Sequence, residues 1–464
     1  MGARRVGRGC PDAVPPDGQL AQPPARAAWG DAALYGASAL LAATAAAADY
    51  IPLQRQWARL AVGPYAAAAA VAALLAVRWR RRPARWSLRA RTVLALAVLV
   101  GAALVPVSLE VGWRARHGDA FHAQSEVLLI EQGAESLVHG VDPYSVAHLG
   151  EPLAGYPPGV QEHIPYLPGV FAFGLPRALW GPGPLTDARV GITLVSLCAA
   201  LLALGLVGGS GARRLRAAMV LLALPTGARY LTGGGDDVAV VALLVLALVL
   251  AHRRRPVAAG VVIGLAAAVK LTAWPPLPFV ALAARDRDGR PAAGRLLAAA
   301  AAVVASIVAP FAVWNAPKLL DSVLLYPLGL DGQPTIARGP TLGRLLAAPF
   351  PHARGVIAAV MATIVVGVGA LLLLRWTPTR MRTAAVQAAI VLTMLIVLAT
   401  AGRPGYLIYP LNLLLLSRLL GGEEHPPADD GHRRDGQPAT HGRAGGDELA
   451  EPDRGPPGGP TLAP

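Results

Sequence analysis

The chain has 464 residues, of which 54% are hydrophobic and 15% charged, with a formal net charge of +14 and a mean hydropathy of +0.47. Soluble proteins carry about 25% charged residues, so the composition argues against a large soluble enzyme and for a polytopic α-helical membrane protein. The arginines behind the net charge cluster between apolar runs, as cytoplasmic loops do, and no stacking aromatics are interleaved with them, which argues against nucleic acid as a partner.

In chain order, residues 1–28 are rich in Pro, Gly, Ala and Arg and read as a disordered tail. No signal-peptide core follows the first residues, so the first membrane helix is expected to act as the targeting element. Cys10 in that tail and Cys198 in an apolar run imply neither a disulfide nor a zinc site. The Ala, Arg, Gly and Pro bias is bacterial in style and points to a GC-rich genome, as in actinobacteria. Apolar runs follow at 31–49, 58–77 and 92–112. Between the second and third lies RWRRRPARWSLRAR (78–91), the strongest topology signal in the chain. It places that loop in the cytoplasm and residues 113–164 outside.

Further apolar runs cover 165–180, 187–207, 214–231 and 235–251, the last closed by HRRR (252–255). Arg213, Arg214 and Arg216 also read as cytoplasmic, which conflicts with a full crossing by every run. The segment 165–180 is short and carries Pro165, Pro168 and Pro176, so a re-entrant course and a full span both stay open. Residues 257–283 read as a helix broken at Lys270 and at Trp274-Pro275-Pro276. Spans near 296–314, 355–374, 384–400 and 405–420 complete the domain, and a solvated, disordered tail begins at Gly421. The expectation is an all-α protein of roughly 11 to 12 transmembrane helices, spanning 29–420, in the plasma membrane with both tails cytoplasmic. No internal repeat of the transporter kind is visible.

The long polar stretch from Ser125 to Pro168 is the expected seat of function, since loops of this size between spans are usually functional. Its first part, 125–138, alternates apolar residues with Glu126, Glu131, Gln132 and Glu135, the pattern of a helix lying on the outer membrane surface. Gly140 should end it, and Asp142-Pro143 should force an extended turn. Carboxylates at that boundary suit general-base work or merely face water. Lys270 is a charge within an apolar helix, hence a functional candidate, with snorkelling to a headgroup as the alternative. Asp236 and Asp237 follow three glycines and are suited to capping the next helix, ordering a sugar or holding a divalent cation. Arg403, in AGRPGYLIYP with Tyr406 and Tyr409, suits a phosphate clamp or an interfacial anchor.

The order of these features resembles the GT-C membrane glycosyltransferases, and most closely the glycosyltransferase 87 group of polyprenyl-phosphate-mannose-dependent mannosyltransferases. The resemblance runs over roughly residues 90 to 420. It rests on an acidic residue ahead of a short helix, on Gly140-x-x-Pro143-Tyr144, and on Tyr156-Pro157-Pro158. It rests further on GGGDD (233–237) and on AGVVIGLAAAVKLTAWPPLPF (259–279), which sets Lys270 on the family's lysine. Glu126 falls where the group has its catalytic Asp, and Asp119 competes as the base. The resemblance implies an inverting transfer of a sugar, mannose above all, from a polyprenyl-phosphate donor to a membrane-lipid or glycan acceptor on the outer face. Lys270 and Arg403 would hold the donor phosphate, and Tyr144, Tyr156, His163, Asp237 and Tyr406 would contact substrate. No metal is required by this reading, although Asp236 and Asp237 keep a divalent cation open. A lipid or solute transporter, a flippase, and a catalytically degenerate GT-C scaffold in envelope assembly are the rival readings.

Overall fold

A computed structural model describes residues 24–49, 51–81, 87–118, 122–146, 158–330, 337 and 339–421. Asp119 and Tyr156, proposed above as a base and a substrate contact, lie outside the described residues. So do most of both tails. The described residues contain helices and no strand. Helix α1 (Pro24–Ala48) starts within the stretch read as a tail and pairs with α2 (Pro52–Arg81). Next come α3 (Ser87–His117), with a π turn at Val100–Leu104, and α4 (Ser125–Val138). Then follow α5 (Ala188–Leu206), α6 (Gly211–Ala218), α7 (Pro225–Gly233), α8 (Asp237–His252), α9 (Pro256–Val269) and α10 (Pro276–Asp288). The long α11 (Arg290–Leu320), α12 (Arg354–Arg375), α13 (Met381–Leu398) and α14 (Ile408–Leu420) close the chain.

Among the described residues, seven helices are long and apolar enough to cross a membrane, and three more are apolar but shorter. The remaining passes are broken. The run 214–231 is not one helix: α6 leads into a π turn at Met219–Ala223, then extended Leu224, then α7, which Pro225 starts. Proline fits there because the first-turn N–H has no helical partner. The protein is therefore an all-α, multi-pass membrane protein.

Successive long helices run between two ends of the bundle. At one end Arg213 Nη1 donates to the Arg418 carbonyl, Arg253 Nε to that of Leu206, and Arg287 Nη2 to that of His252. At the other end Glu126, Lys270 and Arg403 line one cavity. The segment 165–180 does not cross. It is a 3₁₀ turn (Pro168–Phe173) and a six-residue helix (Leu175–Trp180) packed against α4. With that pass removed, α5 runs toward the arginine-rich end and Arg213, Arg214 and Arg216 fall there, which resolves the charge conflict in the sequence.

The helix at 125–138 is present, and Gly140 ends it with φ +72°, the left-handed conformation that glycine adopts without a Cβ clash. It is not an exposed amphipathic helix. Every residue from Ser125 to Glu131 is buried, as are Gly133 and Ala134. The segment 168–180 covers it so closely that a Cβ on Gly133 would come within 2.3 Å of Phe171, and one on Gly174 within 2.5 Å of the Ile130 carbonyl. Two of the acids that made the pattern look amphipathic, Glu126 and Glu131, are instead paired with arginines inside the protein, while Glu135 stays exposed.

Candidate active site

A cavity of about 350 Å³ opens between the α4 end of the bundle and helices α12 and α13. Its two halves differ in chemistry. One is lined by Glu126, His163, Tyr166, Lys270, Arg403 and Tyr406; the other by Ala358, Met361, Ala362 and Val365 of α12 and by Leu395 and Ile396 of α13.

Glu126 stands in the first turn of α4, where the helix dipole favours a negative charge. Arg403 comes from the turn between α13 and α14. That turn is held by backbone bonds from Gly402 N to the Ala337 carbonyl (3.1 Å) and from Gly339 N to the Gly402 carbonyl (2.8 Å). Arg403 Nη1 donates to Glu126 Oε1 at 2.6 Å. The pair is only partly enclosed: the Arg403 side chain is 33% exposed and that of Glu126 10%.

Lys270 sits where α9 breaks. Its own backbone is extended (φ −151°, ψ +139°), and a 3₁₀ turn, Leu271–Ala273, follows it. The break is fixed from outside by a bond from Leu167 N to the Val269 carbonyl (3.0 Å). Glycines at 260 and 264 bring α9 against α11: a Cβ at Gly260 would meet the Leu296 carbonyl at 2.2 Å. This is the small-residue spacing that lets membrane helices approach closely. Lys270 does not snorkel. Its Nζ lies 2.7 Å from Asp236 Oδ1 and 2.7 Å from Asp237 Oδ1. The Tyr166 and Tyr406 rings flank it with centroids at 5.2 and 5.4 Å.

The two aspartates are delivered by the glycine turn. Gly234 adopts φ +83°, and a Cβ there would meet Val127 Cγ2 at 2.1 Å, so the turn packs directly on α4. Asp236 makes no side-chain cap bond to α8, so the capping alternative does not hold. Tyr409 OH donates to Asp237 Oδ1 at 2.7 Å. Asp236 lies in the turn ahead of α8; burial pushes its carboxyl up to about 7, against the pull of Lys270. Among the described residues no three His, Cys, Asp or Glu side chains gather as a metal site. The space between Asp236 and Asp237 is spanned by the Lys270 ammonium, so the pair does not fit a divalent cation.

The remaining sequence-derived candidates divide. His163 lines the cavity; its ring stacks on Tyr326 (4.7 Å, 10°) and its Nε2 is 3.3 Å from Asp321 Oδ2. Asp237 does not line the cavity and stands behind Lys270, which does. Tyr144 does not reach the cavity: it is buried, donates its hydroxyl to the Tyr166 carbonyl at 2.8 Å, and packs on Phe171. It holds the Tyr166 loop in place. The Asp142-Pro143 turn is formed as expected, with Tyr144 N donating to Asp142 Oδ1.

Sequence reasoning missed a buried ion network beneath α4. Arg114 Nη1 bonds Glu131 Oε1 (3.0 Å) and Asp187 Oδ2 (2.8 Å), and Arg189 Nη2 bonds Asp187 Oδ2 (2.8 Å). Arg189 Nη1 also donates to the His122 carbonyl (2.7 Å), three residues before α4. Burial works to raise the Asp187 carboxyl, but Arg189 and then Arg114 outweigh it and hold it well below the usual carboxylate range. Arg189 opening an apolar run was the available signal. Tyr230 was missed too; its hydroxyl abuts Gly405, two residues from Arg403.

An all-helical membrane protein with an acid, two cations and three tyrosines at one end of an apolar slot defines a membrane-embedded transferase or carrier site. The profile of glycosyltransferase family 87 matches residues 165–401, just over half of the chain. The chain belongs to that family, and it is a membrane glycosyltransferase of the GT-C type. No curated protein matches it.

Proposed function

We propose that the chain transfers a sugar, mannose in the first instance, from a polyprenyl-phosphate donor to a lipid or glycan acceptor of the cell envelope, with inversion at the anomeric carbon. The active site faces outward from the plasma membrane, and both tails are cytoplasmic. The carrying observation is the two-sided cavity. A charged half meets an apolar half along α12 and α13, which matches a phosphate on a long hydrocarbon chain.

Arg403 binds Glu126 through Oε1, so Oε2 is the oxygen left for the acceptor. Glu126 takes the proton of the acceptor hydroxyl as that oxygen attacks the anomeric carbon. The bond to the donor phosphate breaks on the opposite face, and the electron pair leaves with the phosphate. Arg403 meets the charge that develops there. Tyr166 and Tyr406 supply flat walls suited to a sugar ring. Transport predicts polar groups on several helices at mid-membrane; here they gather at one end.

The test is a membrane-fraction assay with radiolabelled polyprenyl-phosphate-mannose. Wild type should transfer label and Glu126→Gln should not. Transfer by both at equal rates would overturn the reading.

A further inference from the structure

Two adjacent carboxylates in a closed space ordinarily imply a bound cation. Asp236 is fully buried and Asp237 is 5% exposed. Two uncompensated charges cannot persist in such surroundings. Asp236 Oδ2 has no hydrogen-bond partner, so a buried ligand oxygen remains unused beside the pair.

The position between the carboxylates is filled by the chain itself. Lys270 Nζ is equidistant from the two Oδ1 atoms, at 2.7 Å. An ammonium at that distance stands where a divalent ion would bridge two carboxylates. The aromatic faces of Tyr166 and Tyr406 complete a cage around it. The backbone does not let the lysine withdraw. Its N–H is bonded to the Ala266 carbonyl, the preceding residue is bonded to Leu167, and a Cβ on Gly169 would already touch the Ala268 carbonyl at 2.7 Å.

Counting donors separates Lys270 from Arg403. An ammonium has three N–H groups and Lys270 gives two of them to aspartates; a guanidinium has five in a rigid fork. Arg403 gives one bond to Glu126 and keeps a third of its side chain open to the cavity.

We propose that Lys270 is the resident cation of the Asp236–Asp237 pair, occupying the position a divalent ion would take, and that the donor phosphate is met by Arg403 and not by Lys270. The second clause rests on the proposed function; the first does not.

The experiment measures Mn²⁺ uptake by electron paramagnetic resonance on the full-length protein in detergent, with thermal unfolding alongside. Wild type should take up no Mn²⁺ and show the same midpoint in EDTA and in Mn²⁺. Lys270→Ala should have a lower midpoint, bind about one Mn²⁺ per chain, and recover midpoint on binding it. Adding Asp237→Asn should remove the uptake. Recovery of Lys270→Ala only when Mn²⁺ is present throughout purification is the same result in another form. Mn²⁺ uptake by wild type that Asp236→Asn abolishes would overturn the proposal, as would a folded Lys270→Ala that binds none. If no Lys270 variant folds, the wild-type arm decides alone.

A second arm uses polyprenyl phosphate binding. Arg403→Gln should weaken it at least about tenfold, whereas Lys270→Ala loaded with Mn²⁺ should not. The reverse ranking overturns the phosphate assignment and leaves the resident cation standing. No binding by wild type would count against the proposed function instead.

Discussion

Glu126 and Arg403 share one short ion pair, yet their variants should fail in different ways. Glu126→Gln should lower the chemical step by about 10²- to 10⁴-fold, the usual contribution of a general base. Single-turnover transfer with saturating donor reads this directly. Asp119→Asn in the same assay decides between the two acids: if it is dead while Glu126→Gln is active, the base is Asp119. Arg403→Gln should slow transfer by about 10²- to 10³-fold, as for loss of a donor aimed at developing charge. Arg403→Lys should recover only part of that, because a point charge does not replace a fork. The sequence made Lys270 conspicuous because an intramembrane charge is expensive. It could not show that the cost is offset by two aspartates more than thirty residues away, bonded side chain to side chain.

The glycine turn before α8 works by contact with α4. Gly234→Ala should both strain a left-handed backbone, at about 1 kcal/mol or more, and drive a methyl into Val127. Val127→Ala in the same chain should relieve the clash with Val127 and leave the backbone cost and the 2.9 Å approach to Arg189 Cγ. A double-mutant cycle on thermal midpoints separates the two, and simple additivity would show that the turn and α4 do not touch. The network below α4 makes a second expectation. Arg114→Met takes one of two arginines from Glu131 and from Asp187, which keep Arg177 and Arg189, and should cost less than the ~3–5 kcal/mol of a buried charge left wholly unpaired. Asp187 is held below its unfolded value, so its share of stability is present at neutral pH. That share is lost as pH falls through and below the ordinary carboxylate range. Thermal midpoints from pH 6 down to about pH 2 check this, and the fall should be smaller in Arg114→Met.

The presence and ends of α4 were legible, because Gly140 and the 125–138 periodicity are local signals. Its burial was not. An acid that pairs with Arg114 or Arg403 looks, in one dimension, the same as an acid that faces water. The break at Lys270 was legible from the lysine and the two prolines after it. The broken pass through Met219–Ala223 was not, since a π turn leaves no mark in an apolar run. There Tyr65 OH donates to the Ala223 carbonyl.

At the scale of the molecule, the arginine-rich end and the cavity end should lie on opposite sides of the membrane. Glu135 and Thr379 are exposed at these two ends. An impermeant maleimide should label Glu135→Cys in intact cells and Thr379→Cys only after permeabilisation. Labelling of Thr379→Cys alone in intact cells would invert the topology.

The Glu126–Arg403 pair joins residues 277 positions apart. At about 5–20 residues per second, a ribosome takes roughly 15 to 55 s to cover that interval. For that time Glu126 is already in the membrane region without the arginine it will hold. Release of a chain that ends before AGRPG leaves it so permanently. The last turn to be made thus reports to the rest of the bundle that synthesis is complete, and truncated chains should be cleared by quality-control proteases even though nearly every span is present.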